Sequence, residues 1–482
     1  MNKLATNLAA AALAGFLLGA AAPGEEPEAK RPLNVLFLFA DDLRPELGSY
    51  GHAVVKTPNI DALAASGVRF ERAYCQFPLC NPSRTSLLTG RYPIVTGVLG
   101  NRQWFGKDHP DFVSLPRLFK DHGYKTLRSG KVFHGGIDDY EAWTVGGDPK
   151  TTPGVDRGGS IGVAAPTTPA QNRASDERRD RRSDSILVIP GDGETVGDGA
   201  VAGRAIELLR EHKDGPFFLA CGFSKPHSPP EAPQRFFDLY DPAQVVLPAD
   251  FAPRPTAPPG VPPVSVRANT DLFIGRDASP EEARLVTRAY WASVSWMDHN
   301  VGRVLAEVDR LGLRENTVIV FWGDHGYHLG EKGRWSKAGS LFEVGARTPL
   351  IVAAPGEAGN GRPSPRVVEA LDLYRTLADL AGLPVADAVQ GRSLAPLLAD
   401  PTAPWDRPAY TVWAEAGKLN GVSVRDERFR YAEWEGPRGG AFLYDLDADP
   451  QELKNLADDP AFADVRARLS ALVRRHRETG GR

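Results

Sequence analysis

The sequence predicts an α/β fold: a large, mostly parallel sheet sandwiched by helices, followed by a small C-terminal antiparallel α+β subdomain. Three observations carry this. From residue 33 to about 385, short apolar strands alternate with amphipathic helices, the pattern of a parallel sheet covered on both faces. A long amphipathic stretch over 281–311 separates two of those strands, giving one face a substantial cover. After Leu394 the character changes to strand-like pieces joined by turns, which predicts antiparallel pairing.

Taken in order, Leu33 to Ala40 (LNVLFLFA) reads as a buried strand. TPNIDALAASG then supplies a helix with Thr57 as cap, Pro58 in its first turn and Gly67 at its stop. Tyr124 to Ser129 is a weaker strand, and 217–223 (FFLACGF) and 317–322 (TVIVFW) are two stronger ones. In the 281–311 helix, Leu285, Val294, Val301, Val304, Leu305 and Val308 are expected to face inward. Residues 145–185, with the run DERRDRRSD, read as a solvated surface insertion, because alternating charge signs favour a plain loop. The Pro-rich 226–265 is expected to wrap the surface as extended chain. Strand-like pieces at 409–414, 421–425, 428–434 and 441–446 and a helix at 459–477 complete the chain.

The 482 residues can bury a large core, with 42% hydrophobic and 24% charged content, ordinary for a soluble protein. A net charge of -4 and a pI near 6.2 exclude a general binder of nucleic acid or anionic membrane, though not an anionic small substrate. Residues 1–22 read as an export signal: Lys3 is the positive end, Leu8 to Leu18 the apolar run, and Ala20-Ala21-Ala22 the cleavage site. The protein is therefore expected to be periplasmic or extracellular, without stable membrane insertion. Residues 23–32 form a linker, 33–394 the catalytic domain and 395–482 the C-terminal subdomain. Three cysteines, Cys75, Cys80 and Cys221, are too few for a disulfide-stapled scaffold. Cys75 and Cys221 are one conceivable pair, and both are expected to be buried.

In an open α/β sheet, ligands bind beyond the carboxyl ends of the strands. Four strand ends here stop at polar groups: Asp41-Asp42, Lys131 and His134 after the second strand, Lys225 and His227 after the third, and Asp324-His325 after the fourth. One such end alone would be a turn former. Four on one edge make a site of carboxylates and cations. Asp41, Asp42 and Asp324 would repel one another, so a hard divalent cation is their natural partner, and calcium tolerates such flexible oxygen ligands. Cys80 precedes Asn81, Pro82 and, further on, Gly90, residues suited to capping, opening and ending a helix. Cys80 just ahead of a helix N-terminus fits an activated thiolate and a structural cysteine equally well.

Residues 80–90 (CNPSRTSLLTG) meet in full the C-x-P-S-R-x-x-x-x-T-G pattern, and here the chain resembles the formylglycine-dependent sulfatases of the alkaline-phosphatase-like superfamily. The resemblance runs from about Leu33 to Ala457 and includes ADDLRPELGSYG, GDHGYHLGEKGRWSK and LYDLDADPQELKNLA. DDLRP, GKVFH, KPH and the His at 325 resemble the iduronate-2-sulfatase branch most.

That resemblance implies a calcium ion held by Asp41, Asp42, Asp324, His325 and the formylglycine made from Cys80 by a formylglycine-generating enzyme. It implies that Arg84 holds the hydrated aldehyde and that Lys131 and His134 bind it and the sulfate oxygens. Lys337 and His227 would contact the bridging side of the ester, with His227 as proton donor, and Lys225 would meet an acid group of the substrate. The implied substrate is a sulfated sugar or oligosaccharide. Two rival readings are a phosphodiesterase or phosphonate monoester hydrolase of the same superfamily, and a carbohydrate-binding homologue without catalysis.

Overall fold

The computed structural model describes residues 32–147, 184–437 and 439–481; the expected leader and most of the 145–185 insertion lie outside these. Residues 33–482 form one compact unit. The strands are β1 (Asn34–Asp41), β2 (Val68–Tyr74), β3 (Lys125–Gly130), β4 (Leu187–Ile189), β5 (Phe217–Pro226), β6 (Glu231–Pro233), β7 (Thr317–Gly323), β8 (Arg347–Ala353) and β9 (Pro363–Glu369). They are followed by β10 (Ala409–Glu415), β11 (Lys418–Arg425), β12 (Phe429–Trp434) and β13 (Gly440–Asp445).

The central sheet has the order β3-β5-β1-β7-β8-β2-β9. The four strands β3, β5, β1 and β7 run parallel, so their carboxyl ends share one edge. β8 runs against its neighbours. Along β1, Leu36, Leu38 and Ala40 enter the core under the Pro280–Arg310 and Gly197–His212 helices. Val35, Phe37 and Phe39 enter the opposite core, with Leu87, Leu88, Phe119 and Leu377. A strand buried on both faces has no polar side to offer water, which is why this one is a continuous apolar run. Each fully buried Leu or Phe contributes about 1.5–3 kcal/mol of transfer free energy, so the sheet edge behind the site is a stiff platform.

β10 to β13 form an antiparallel sheet in sequence order, with the Ala463–Thr479 helix on β11 and β12. Its core continues through Phe77, Leu341 and Phe342, next to the site loops.

Several local expectations need correction. Leu285 is 44% exposed; it lies nine residues before Val294, which at about 100° per residue is the opposite face of the helix. Thr57 sits at the cap position, but its hydroxyl accepts from Gly48 N–H and donates to the Asp61 carboxylate instead of capping. Gly67 lies past the helix end at Ala65; what requires glycine there is Val352 O, 2.7 Å from where a Cβ would stand. The 226–265 stretch is more than surface wrapping. It contains β6, which pairs with β4, and buries Phe236, Phe237, Tyr240, Val245 and Val261. Cys75 and Cys221 are buried, as expected, and both are free thiols.

Candidate active site

The parallel register delivers the strand ends to one place. Ala40 pairs with Gly323 and Asp41 with Pro226, so β1, β5 and β7 end side by side. Asp42 then turns the chain with a positive φ of 62°, and the Tyr290 hydroxyl secures that turn by donating to Asp42 O at 2.8 Å. Across the edge, the Cys80–Thr89 helix points its N-terminus at these carboxylates. Its N-cap is Leu79, so Cys80 is the first helical residue and not the residue ahead of the helix. Asn81 does not cap; its amide donates to Gly100 O at 2.9 Å and Gln103 O at 2.7 Å. Gly90 ends the helix in the left-handed region, φ 63°, as the sequence predicts.

Cys80 is 1% exposed. Its Sγ lies 3.3 Å from Asp41 Oδ1 and 3.4 Å from His325 Nε2. Arg84, one turn along, is wholly buried: Nε donates to Asp324 Oδ2 at 2.9 Å and Nη1 to Val132 O at 3.1 Å. Its Nη2 has no hydrogen-bond partner among the described residues and stands 3.9 Å from Asp41 Oδ1. Lys131 pairs with Asp41 Oδ2. Lys337 Nζ lies 2.8 Å from Asp42 Oδ2 and 3.3 Å from Asp271 Oδ2. His227 Nε2 is 3.9 Å from Asp42 Oδ2, with about a third of its side chain exposed.

The electrostatics follow from burial set against these pairs. Burial would raise the Asp41 carboxyl, but Lys131, His227, Arg84 and Lys337 together hold it well below the usual range. Burial pushes Asp324 up to about 7, with Asp41 adding to the rise. Burial likewise raises Asp42. Against burial, Asp324 and Cys80 lift His325 to about 10. Burial and Asp41 oppose ionisation of the Cys80 thiol, yet Lys131, Lys337 and His325 bring it well below its ordinary value.

Two overlapping donor sets emerge. Asp41, Asp42, Cys80 and His227 form one, and Asp41, Cys80, Asp324 and His325 the other, each with its ligand atoms within 4.8 Å of one another. Asp42 Oδ1 is buried with no hydrogen-bond partner among the described residues. Three buried carboxylates, two of them resisting ionisation and one with an orphaned oxygen, are a donor set suited to a hard divalent cation. His325 donates through Nδ1 to Gly326 O at 3.0 Å, which leaves Nε2, facing Cys80 Sγ, as the nitrogen that would ligate a cation in exchange for its proton.

Comparison with known proteins decides the family. Residues 33–383 match the family model described as Sulfatase, and residues 330–479 match that of the N-sulphoglucosamine sulphohydrolase C-terminal region. The chain belongs to the sulfatase family. It is a sulfuric ester hydrolase of the alkaline-phosphatase-like fold. Iduronate 2-sulfatase of Mus musculus is 32% identical, over 93% of this chain and 95% of its own. A sulfatase of Formosa agariphila is 31% identical over 93% and 87%. The phosphonate monoester hydrolase of Agrobacterium radiobacter superposes with a TM-score of 0.74 at 25% identity, covering 93% of this chain and 96% of that one.

In this sulfatase, nine of the eleven residues expected at the site come together: Asp41, Asp42, Cys80, Arg84, Lys131, His227, Asp324, His325 and Lys337. Two stand apart. His134 makes no side-chain hydrogen bond among the described residues, and its buried Nδ1 has no hydrogen-bond partner. Lys225 points back into its own loop, to His227 O and Pro229 O, both at 3.0 Å. The sequence reading missed Asp271, Tyr290 and Ser83, whose hydroxyl donates to Asp324 O. None belongs to a strand-end motif; Ser83 is a fixed position of the C-x-P-S-R pattern without a role assigned to it, and Tyr290, on the inward face of the long helix, had a periodic signal.

Proposed function

We propose that this sulfatase removes sulfate esters from a sulfated sugar, with formylglycine at position 80 as nucleophile and calcium bound by Asp41, Asp42, Asp324 and His325. The observation that carries the reading is the placement of Cys80 Sγ, 3.3 Å from Asp41 and 3.4 Å from His325, inside a ring of cations. Hydrated formylglycine would supply a geminal diol, one hydroxyl to attack sulfur and the other to release sulfate as the aldehyde reforms. Calcium, when bound, would polarise that hydroxyl and neutralise sulfate charge.

The chain's own residues do the rest. Arg84, anchored by Asp324 and two backbone carbonyls, has Nη2 left to hold the group at position 80. Lys131 and Lys337 supply fixed positive charge for the sulfate oxygens, preorganised by burial and by Asp41 and Asp42. His134, three residues after Lys131, would serve the same oxygens on the family resemblance alone. His227 donates through Nδ1 to Ser228 O at 2.7 Å, which leaves Nε2 as the nitrogen facing the cluster. Burial opposes a charged His227, but Asp42 keeps its proton on, as a donor to the leaving alcohol oxygen requires. Such a donor contributes on the order of 10²–10⁴ in rate.

The similarity to iduronate 2-sulfatase supports a sulfated sugar, with a 2-O-sulfated uronic acid as the favoured unit. The likeness to a phosphonate monoester hydrolase keeps that chemistry as the rival. Protein whose residue 80 is verified as formylglycine by peptide mass is assayed on defined sulfated oligosaccharides, an aryl phosphodiester and a phosphonate monoester. Sulfate release from the sugars is expected to dominate. Preferred turnover of the phosphorus esters, or unmodified thiol in active protein, would overturn the reading.

A further inference from the structure

We infer that Lys225 is a positioning residue: with Asp198 and Glu231 it moors the turn that aims His227 at the leaving oxygen, and it does not contact substrate. The inference rests on the proton-donor role proposed for His227.

A lysine ammonium has three donors and no acceptor. Lys225 Nζ lies 3.0 Å from His227 O, 3.0 Å from Pro229 O and 3.2 Å from Glu231 Oε1. Three acceptors match three donors, and the residue is only 6% exposed. A substrate acid group would have to displace one of these three partners. The turn is held from its other side as well. Asp198, 1% exposed in the first turn of the Gly197–His212 helix, accepts from Ser224 N–H at 2.8 Å and Lys225 N–H at 2.9 Å. Glu231 N–H in turn donates to Ser293 Oγ at 2.9 Å, tying the far end of the turn to the long helix.

His227 thus sits between two fixed posts. Its own carbonyl is gripped by Lys225, and its ring is oriented by Nδ1 on Ser228 O. Only its Nε2 side faces Asp42 and the cluster. A shift of a fraction of an ångström in the His227 backbone moves Nε2 off the line to the leaving oxygen, and proton transfer falls steeply with such misplacement. A residue acting this way alters turnover of esters whose leaving alcohol needs a proton. It has little leverage on substrate affinity.

The test compares Lys225→Met, Glu231→Gln and His227→Ala in formylglycine-verified protein, on a sulfated sugar with a poor leaving alcohol and on an aryl sulfate with a good leaving group. Lys225→Met is expected to lose about 10–100-fold in kcat on the sugar ester, with KM within about twofold. The loss on the sugar ester should exceed that on the aryl sulfate about tenfold, with Glu231→Gln smaller in the same direction. The His227 ring resonance, assigned by its absence in His227→Ala, should move in both mooring variants. A several-fold rise in KM for the charged sugar with kcat intact would make Lys225 a substrate contact and overturn the inference. So would an unmoved His227 resonance. If Lys225→Met does not fold, the Glu231→Gln resonance and rate ratio decide alone. If His227→Ala itself loses equally on both esters, the proton-donor reading fails, and the resonance still decides whether Lys225 moors the turn.

Discussion

Lys337→Met separates the charge role of this lysine from its structural one. Lys337 is 2% exposed and stands between Asp42 Oδ2 at 2.8 Å and Asp271 Oδ2 at 3.3 Å. Methionine keeps most of the volume and removes the charge, leaving two buried carboxylates whose other contacts are sparse. Among the described residues Asp42 Oδ1 has no hydrogen-bond partner, and the cations left near the carboxylate are His325, 3.5 Å from Oδ1, and His227, 3.9 Å from Oδ2. Removing one partner of a buried pair costs about 3–5 kcal/mol, since the other charge is stranded. A second change, Asp42→Asn, takes away that stranded charge and should return about 1–3 kcal/mol, a non-additive coupling. Activity should behave differently: Lys337→Met loses roughly 10²–10³ in kcat as a fixed oxyanion partner goes, and the double variant stays inactive because Asp42 is also a proposed metal ligand. Stability is read by urea unfolding of the intrinsic fluorescence and activity by sulfate release. Added calcium should protect Lys337→Met more than the parent, where about 2.7 kcal/mol is expected at a hundredfold excess over Kd. A variant within about 1 kcal/mol of the parent, or one that Asp42→Asn fails to rescue, would refute the buried-pair reasoning.

Three further outcomes follow from particular contacts. His476 is 2% exposed, stacked on Tyr410 at 4.1 Å, and neither ring nitrogen has a hydrogen-bond partner among the described residues; burial, Arg407 and Arg477 push it down to about 3. A depressed histidine contributes stability fully above its unfolded value near 6.5, and loses it as pH falls toward 3, by about 1.4 kcal/mol per pH unit. Urea midpoints of His476→Phe should therefore depend less on pH across that window. Gly222→Ala should lower both stability, by about 1–3 kcal/mol, and kcat, because its Cβ would stand 1.9 Å from Lys131 O; Gly203→Ala, with nothing within 4 Å, is the control. Finally, Cys80 is 1% exposed and every residue of its helix is buried, so the oxidation proposed for it is expected to precede folding. A formylglycine-generating enzyme should convert the unmodified protein in urea and leave the folded form untouched, as read by peptide mass; equal rates would refute this.

The fold was legible where local and global demands agree. The run from Asn34 to Ala40 is buried on both faces, so its composition alone marks it, and its boundary is read to within a residue. Expectations failed where a side chain had a distant partner. Thr57 looks like a cap but serves Gly48 and Asp61, and Asn81 looks like one but serves Gly100 and Gln103. In each case the residue type was right for a hydrogen bond at a helix start, and tertiary contact chose the partner. Leu285 failed for a simpler reason, since apolarity was weighed without its angle around the helix.

The site divides along the same line. Residues at strand ends were visible because parallel strands place their carboxyl ends on one edge whatever the loops do. Residues aimed by one irregular segment lying on another were not visible that way, and Lys337 was reached through the family motif alone. Lys337 is set by Asn269 to Leu272, which track the loop contact by contact: Asn269 Oδ1 accepts from Trp335 N–H at 2.8 Å, Leu272 N–H donates to Trp335 O at 3.2 Å, and Asp271 meets the ammonium. No period or spacing in the sequence announces that pairing, because neither segment is a helix or a strand. Lys225 shows the remaining ambiguity. A lysine after a strand looks the same whether its partner is a substrate or its own backbone. The three acceptors around Nζ are separated in sequence from it by two, four and six positions, yet only the turn's conformation brings all of them to one point. Charge at a site edge therefore predicts where chemistry is possible, while acceptor counting decides which charges are free to take part in it.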